Sequence, residues 1–522
     1  MLKISNKNKH FLNIFEHFSK NIGVKKNGIL NGALILTVGG ILAKLFSAVY
    51  RIALTRILGG VGIGLYQLVF PFYSLCVVLA TAGIPMAVSK IIAKHKNSDI
   101  AVLKKCFKYT LLVSFFLTFI LLISSKLLAN LQSKTEIAVC YIILAPSIVL
   151  VGVASVLRGY FQGKQNFVPS SVSNIVEQLI KMIFGLILSL LLIQKSLLLG
   201  VVGAVVGIVI SEFVSLGVLM VYFKVKHNRN SNSTTLTYKD IGKEIIPITL
   251  TNIILPLAGF VDSVLVVNLL NINFSSGVSV FLYGLESGAV SSIVGLPTIF
   301  SYAIASVIMP NLAGNGGSKS FKLSLAMKIV LIICVPCCAV FIASPKNIIN
   351  LLYANSVNDL SLNGINIAGR LLAFSALGVV FLSVNQILSS ALQAIDKSHI
   401  TIRNLIVAVV VKFLIEIIFM PFKMLNIYVL AISNTACYLI VMLLNVLEIK
   451  FSFRLNINVT FVIKIICSSV ITMLVILMLI KLSNNVIFIL FSFVLSVLVY
   501  FLCLRVFKIF NKQEFAYFKY KR

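Results

Sequence analysis

Eleven polar residues stand in or beside stretches that are otherwise hydrocarbon: Lys44, Arg51, Arg56, Asn174, Glu177, Gln178, Lys181, Asp262, Glu286, Lys412 and Glu416. Ionised groups are costly in a membrane interior, so they face other protein or a wet cavity and mark candidate substrate-binding positions. Asn174, Glu177, Gln178 and Lys181 share one helical face, and a Glu four residues before a Lys is the favourable order for an ion pair along a helix. The spacing therefore predicts Glu177 paired with Lys181, serving either as glue between helices or as a contact for cargo. Arg158 and Lys164, just upstream, read as interfacial anchors in a short inner connection. The segment "ILAKLFSAVYRIALTRILGG" carries Lys44, Arg51 and Arg56 and no acid. At about 1.5 Å of rise per residue, Lys44 falls past the midpoint of the first span and Arg51 near its outer end. The two arginines can snorkel to headgroups, but Lys44 needs a counter-ion or water. Such cations attract phosphate, diphosphate or carboxylate. Glu212, Asp262 and Glu286 are further functional candidates, whereas Lys412 and Glu416, also four apart, read first as a self-neutralising structural pair.

Enzymatic chemistry finds no foothold. No G-x-S-x-G, Walker A, H-E-x-x-H or D-x-D run occurs with the flanking elements it needs. Cys334, Cys337 and Cys338 have metal-like spacing but no His or carboxylate beside them, so they read as small buried hydrophobes, and neither metal nor cofactor is expected. Without a nucleotide site, transport would run downhill or on an ion or voltage gradient.

The elements that must position these groups are membrane helices. The 522 residues are 59% hydrophobic and 11% charged, far from the usage of a soluble domain. Apolar runs long enough to cross a bilayer recur throughout, continuous and not alternating, which excludes a spanning barrel. Fourteen spans are expected, near 29–51, 63–84, 108–129, 137–157, 170–193, 197–222, 245–269, 288–310, 323–343, 367–392, 402–420, 426–447, 461–481 and 484–507. The net charge of +31 clusters in alternate loops, while the connection at about 270–287 has no Lys or Arg. That pattern is topological, with both termini cytoplasmic, and argues against a nucleic-acid partner. Phe11, Leu12, Phe15 and Phe18 give a leader, residues 1–27, the spacing of an amphipathic helix on the inner surface. The polar linker 226–243 then divides an N-terminal lobe, 28–225, from a C-terminal lobe, 244–448, followed by two extra helices in 449–510 and a basic tail, 511–522. Leu65-Tyr66 and Leu282-Tyr283 stand at a common offset in weakly similar segments, an echo expected of duplicated transporter halves.

The stretch "LRGYFQGKQNFVPSSVSNIVEQLIKMIF" resembles the signature region of the stage V sporulation protein B family, within the multidrug/oligosaccharidyl-lipid/polysaccharide (MOP) flippase superfamily. Residues 65–93, 281–313 and 389–400 resemble it too, so the likeness spans nearly the whole chain. The resemblance implies an all-α polytopic membrane protein, with about fourteen helices in two pseudo-symmetric six-helix lobes plus two C-terminal helices around a central cationic cavity. It implies alternating-access movement of an undecaprenyl-diphosphate-linked peptidoglycan precursor in the bacterial cell membrane, for wall or spore-cortex synthesis. The expected partners are that lipid-linked glycan, membrane lipids and a coupling proton or cation, with the chain a monomer. Lys44 occupies the place of a cationic first-helix residue in related lipid II flippases. Where the family usually carries arginines after Asp262, this chain reads "VDSVLVVNLL", so its cationic cavity is expected to rest on the first half. A cation-coupled multidrug exporter of the same fold, an exporter of another lipid-linked polysaccharide, a membrane polymerase and a non-transporting scaffold are the competing readings.

Overall fold

A computed structural model describes residues 29–94, 99–226, 238–313, 319–453 except 359 and 361, 459–482, and 485–509 except 508. The expected leader, basic tail and most of the linker lie outside these residues. The described chain is helical, with α1 Ile29–Thr81, α2 Ile84–Lys94, α3 Asp99–Leu131, α4 Ala138–Gly163, α5 Val168–Ile193 and α6 Leu197–Lys226 in the first half. After the linker come α7 Tyr238–Asn252, α8 Ile254–Leu270, α9 Ser276–Gly284, a π-helical turn Leu285–Val290, α10 Ser291–Ala313 and α11 Lys319–Ala343. The short α12 Pro345–Tyr353 precedes α13 Gly364–Ala394, α14 Ser398–Phe419, α15 Tyr428–Phe453, α16 Val459–Leu482 and α17 Val486–Val506.

Eleven helical segments among the described residues are long and apolar enough to cross a membrane. One of them, Ile35–Ile92, is broken at Gly59, whose φ of 69° only glycine adopts without strain, so the expected first and second spans are two arms of one helical run. The expected seventh span is likewise broken, α7 and α8 meeting at 53°. With Ser398–Phe419, which is of spanning length but carries Arg403, Lys412 and Glu416, the architecture is compatible with fourteen crossings. Large side chains such as Phe115, Phe116, Phe119 and Ile123 on α3 and Val494, Leu498 and Phe501 on α17 point outward. Small polar ones such as Ser468, Thr472, Ser492 and Ser496 point inward. That inversion of the soluble pattern suits a hydrocarbon solvent, in which helices associate through small and hydrogen-bonding residues.

Within the first half α5 packs on α6 and on α1, and α4 on α3 and α6; within the second α13 packs on α10, α11 and α15, and α14 on α15. The pair α16 and α17 attaches through α11, where the Tyr500 hydroxyl donates to the Ile332 carbonyl at 2.8 Å. α1 joins the halves, lying on α8, α9, the π turn and α10. Backbones there come very close because Gly60 and Gly64 on one side meet Gly284 and Gly288 on the other. A Cβ on Gly284 would stand 2.6 Å from the Gly64 nitrogen, and one on Gly288 2.6 Å from Ile63 Cγ1. Both glycine pairs have four-residue spacing, which lets two helices approach in lipid. Gly284→Ala is expected to lower the melting temperature in detergent, by the equivalent of about 1–3 kcal/mol for an overpacked contact. Gly242→Ala, where a new Cβ meets only Ile246 and Tyr109 at 3.8 and 3.9 Å, should not.

The expected loop at 270–287 is much shorter: α8 ends at Leu270 and α9 begins at Ser276. The outer connection expected at 344–366 is largely helical as well, containing α12 and a 3-10 turn at Ala354–Val357.

Candidate functional site: a charged cavity between the halves

A cavity of about 300 Å³ lies where the broken α1 faces the second half. Arg51, Gln67 and Pro71 line it from α1, Asp262 from α8, Tyr283 and Glu286 from α9 and the π turn, Lys412 from α14, and Asn434 and Tyr438 from α15. Its acids, Asp262 and Glu286, both come from the second half, and its cations are Arg51 from the first half and Lys412 from the second. Because α1 continues to Leu58 before its break, Arg51 sits two turns inside that arm, away from the end where the sequence placed it. No hydrogen bond or ion pair to another side chain holds its guanidinium among the described residues.

Lys412 does not simply pair with Glu416. Its ammonium donates to Asp262 Oδ2 across to α8, and Glu416 Oε1 stands farther away at 3.8 Å. Glu416 is fully buried and accepts from the Ser433 hydroxyl at 2.6 Å. Three helices, α8, α14 and α15, are thus tied by one cation between two acids. Glu286 accepts from Ser375 on α13 at 3.2 Å through Oε1, while its Oε2 has no partner.

The polar face of α5 forms a second cluster, with a different pairing from the expected one. Glu177 accepts from the Arg158 guanidinium at 2.8 Å, not from Lys181, and Gln178 donates to its other oxygen at 3.0 Å. Arg158 is correspondingly no interfacial anchor: it lies within α4, 16% exposed, and also donates to Ser215 on α6 at 3.0 Å. The turn at 164–167 folds α5 back on α4, so a residue 19 positions upstream outcompetes the one a single turn away. Lys181 instead stands over the rings of Tyr50 and Phe70, at 5.4 and 5.5 Å, and Asn174 is half-buried on the same helix. Glu212, almost wholly buried on α6, has an unpartnered oxygen within electrostatic reach of Glu177, Arg158 and Lys181.

Lys44 and Arg56 lie outside the cavity lining. Lys44 stacks over the Tyr302 ring of α10 at 3.3 Å from its centre, a cation–π contact joining the halves. Arg56 donates to the carbonyls of Leu351, at 2.7 Å, and Leu352, satisfying the end of α12. A latch that the sequence reading passed over lies near the Gly59 end. Gln132 donates to the Leu68 carbonyl and to Ser263 on α8, each at 2.8 Å, and accepts from Tyr141 at 2.8 Å. Asn268 donates to the Leu131 carbonyl at 2.7 Å and accepts from Ser133 at 2.8 Å. A lone Gln or Ser–Asn pair at a helix end carries no periodic signal, so only the tertiary contact reveals it.

Residues 29–315 match the family described as polysaccharide biosynthesis protein. The chain belongs to that family. Its relatives include stage V sporulation protein B of Bacillus subtilis (strain 168), 26% identical over 330 residues, covering 59% of this chain and 63% of that protein. The lipid II flippase MurJ of the same organism is 23% identical over 424 residues, covering 74% and 77%. An uncharacterized membrane protein, YabM, also of Bacillus subtilis (strain 168), is 26% identical over 314 residues, covering 58% and 59%, so the chain spans about three fifths of the length of two of these relatives. Among solved structures, the lipid II flippase MurJ in an inward closed conformation superposes with a TM-score of 0.72 at 16% identity, over 91% of this chain and 98% of that one. An inward-facing multidrug resistance MATE family transporter of the MOP superfamily gives 0.63 at 16% identity, over 81% and 98%. The protein is a multi-pass membrane protein with the fold of these two structures.

Proposed function

We propose that this family member is a flippase, not an enzyme, which carries a diphosphate-linked glycan precursor of the lipid II type from the inner to the outer leaflet of a bacterial cell membrane. The observation that carries the reading is Arg51: a guanidinium with no side-chain partner, lining a cavity between the halves. A planar five-donor cation of this kind matches phosphate oxygens. Lys44, one cation–π contact away from release, and Lys181 supply further positive charge along the same helix bundle. The name of one relative, a lipid II flippase, supports the same cargo class. The cavity is too small for a disaccharide headgroup, so loading requires the halves to part, as alternating access demands. With both termini cytoplasmic, the Gly59 end carrying the glycine contact and the Gln132 latch is the outer gate.

Reconstitution in liposomes, with fluorescent lipid II followed by its accessibility to a reagent added outside, tests the reading: protein-dependent appearance of the probe in the outer leaflet is expected. Asp262 and Glu286 in the cavity favour a second reading, a cation-coupled drug exporter. Ethidium efflux without lipid movement would establish that one and end the first.

A further inference from the structure

Glu286 combines three features that the cargo reading does not use. The residue is 4% exposed and keeps one carboxylate oxygen, Oε2, without a hydrogen-bond partner. That carboxylate lines the cavity, whose volume of about 300 Å³ leaves room for water. It also stands on the π-helical turn Leu285–Val290, a costly irregularity that recurs at functional positions. Gly284 and Gly288, which flank it, are the residues that fit against Gly64 and Ile63 of α1, and Gln67 of α1 donates to the carbonyl of Ser287, next to Glu286. The same turn therefore presents a carboxylate to the cavity on one side and forms the glycine contact between the halves on the other.

We propose that Glu286 is the proton-carrying group of the transport cycle, and that the π turn transmits its charge state to the glycine contact with α1. The step is a proton moving from water in the cavity onto the Glu286 carboxylate, whose Oε2 is itself shielded from solvent. An ionised carboxylate in this setting asks for more donors than the single Ser375 hydroxyl provides, whereas the neutral acid asks for fewer. The charged and titratable groups facing it are Lys412 from α14, Asp262 from α8, Arg51 from α1, Tyr283 from α9 and Tyr438 from α15. Lys412 is engaged by Asp262 and Glu416, so the mobile charge left to answer Glu286 is Arg51. An anion drawn to Arg51 disfavours a second negative charge beside it, so cargo entry and proton uptake favour each other, a reciprocal linkage between two sites.

This inference rests on the transporter reading but is tested without cargo. Hydrogen–deuterium exchange on the reconstituted protein, corrected for intrinsic rates, should show protection in 60–68 and 281–290 changing between alkaline and acid buffer. Glu286→Gln should lose that change and hold the acid pattern in both, and Glu286→Asp should retain it. Infrared difference spectra over the same titration should contain a carboxylic-acid band that Glu286→Gln removes. Wild-type protein with no pH response in those two segments overturns the proposal, as does a full response in Glu286→Gln. Should Glu286→Gln fail to fold, the wild-type exchange and the Glu286→Asp response still decide. A pH response present in protein that moves no lipid II would sink the cargo assignment and leave this one standing.

Discussion

Alanine at Arg51 is expected to reduce lipid II movement in liposomes by about ten- to a hundredfold, the rate equivalent of losing one or two charge-assisted hydrogen bonds of about 1.5–3 kcal/mol in total. Arg51→Lys should recover only part of it, because an ammonium cannot present the two parallel donors that a phosphate accepts from guanidinium. Lys44→Ala acts differently. Its ammonium is held by Tyr302 on α10, so its removal weakens both a contact between the halves and the attraction for an incoming anion. The double variant should therefore lose more than Arg51→Ala alone, with melting behaviour close to that of Lys44→Ala. Unchanged transport in the double variant would discard the cationic recognition of cargo.

The largest effect on stability is expected at Lys412. Replacing it by Met keeps the volume but leaves Asp262 and Glu416, the latter fully buried, without their shared cation. Breaking a buried pair by deleting one partner costs about 3–5 kcal/mol. Here two acids are stranded, so unfolding in detergent should shift strongly downward. The triple replacement Asp262→Asn, Lys412→Met, Glu416→Gln should be far less damaging than Lys412→Met alone, since it removes the charges together. Equal destabilisation of the single and triple variants, measured by thermal melting, would contradict the assignment of a three-helix electrostatic tie.

The spans were legible because a continuous apolar run has one meaning in a membrane protein, and even Ser398–Phe419, with its three charges, stood out by length. What escaped the pattern was whatever depends on a partner outside the run. Residues 270–287 were expected as a connection, yet 276–287 are helical, and Gly284 within them is small so that α1 can lie against it. The Glu177–Arg158 pair escaped for the same reason: periodicity reports neighbours along one helix, and the true partner sits across a turn on another. The ionisable residues within the spans are visible in the sequence, whereas Gln67, Gln132, Ser433 and Asn434 carry no such mark. The division of the ionisable residues between the cavity, the α5 cluster and the anchoring contacts of Lys44 and Arg56 depends on how the helices cross, which no single segment encodes.

Arg56 has a consequence of its own. It grips main-chain oxygens of Leu351 and Leu352, not their side chains, so the grip is indifferent to which amino acids occupy those two places. Drift at 351 and 352 should be mechanically silent, while exchange of Arg56 for any residue without a two-pronged donor should set α12 adrift from the first helix.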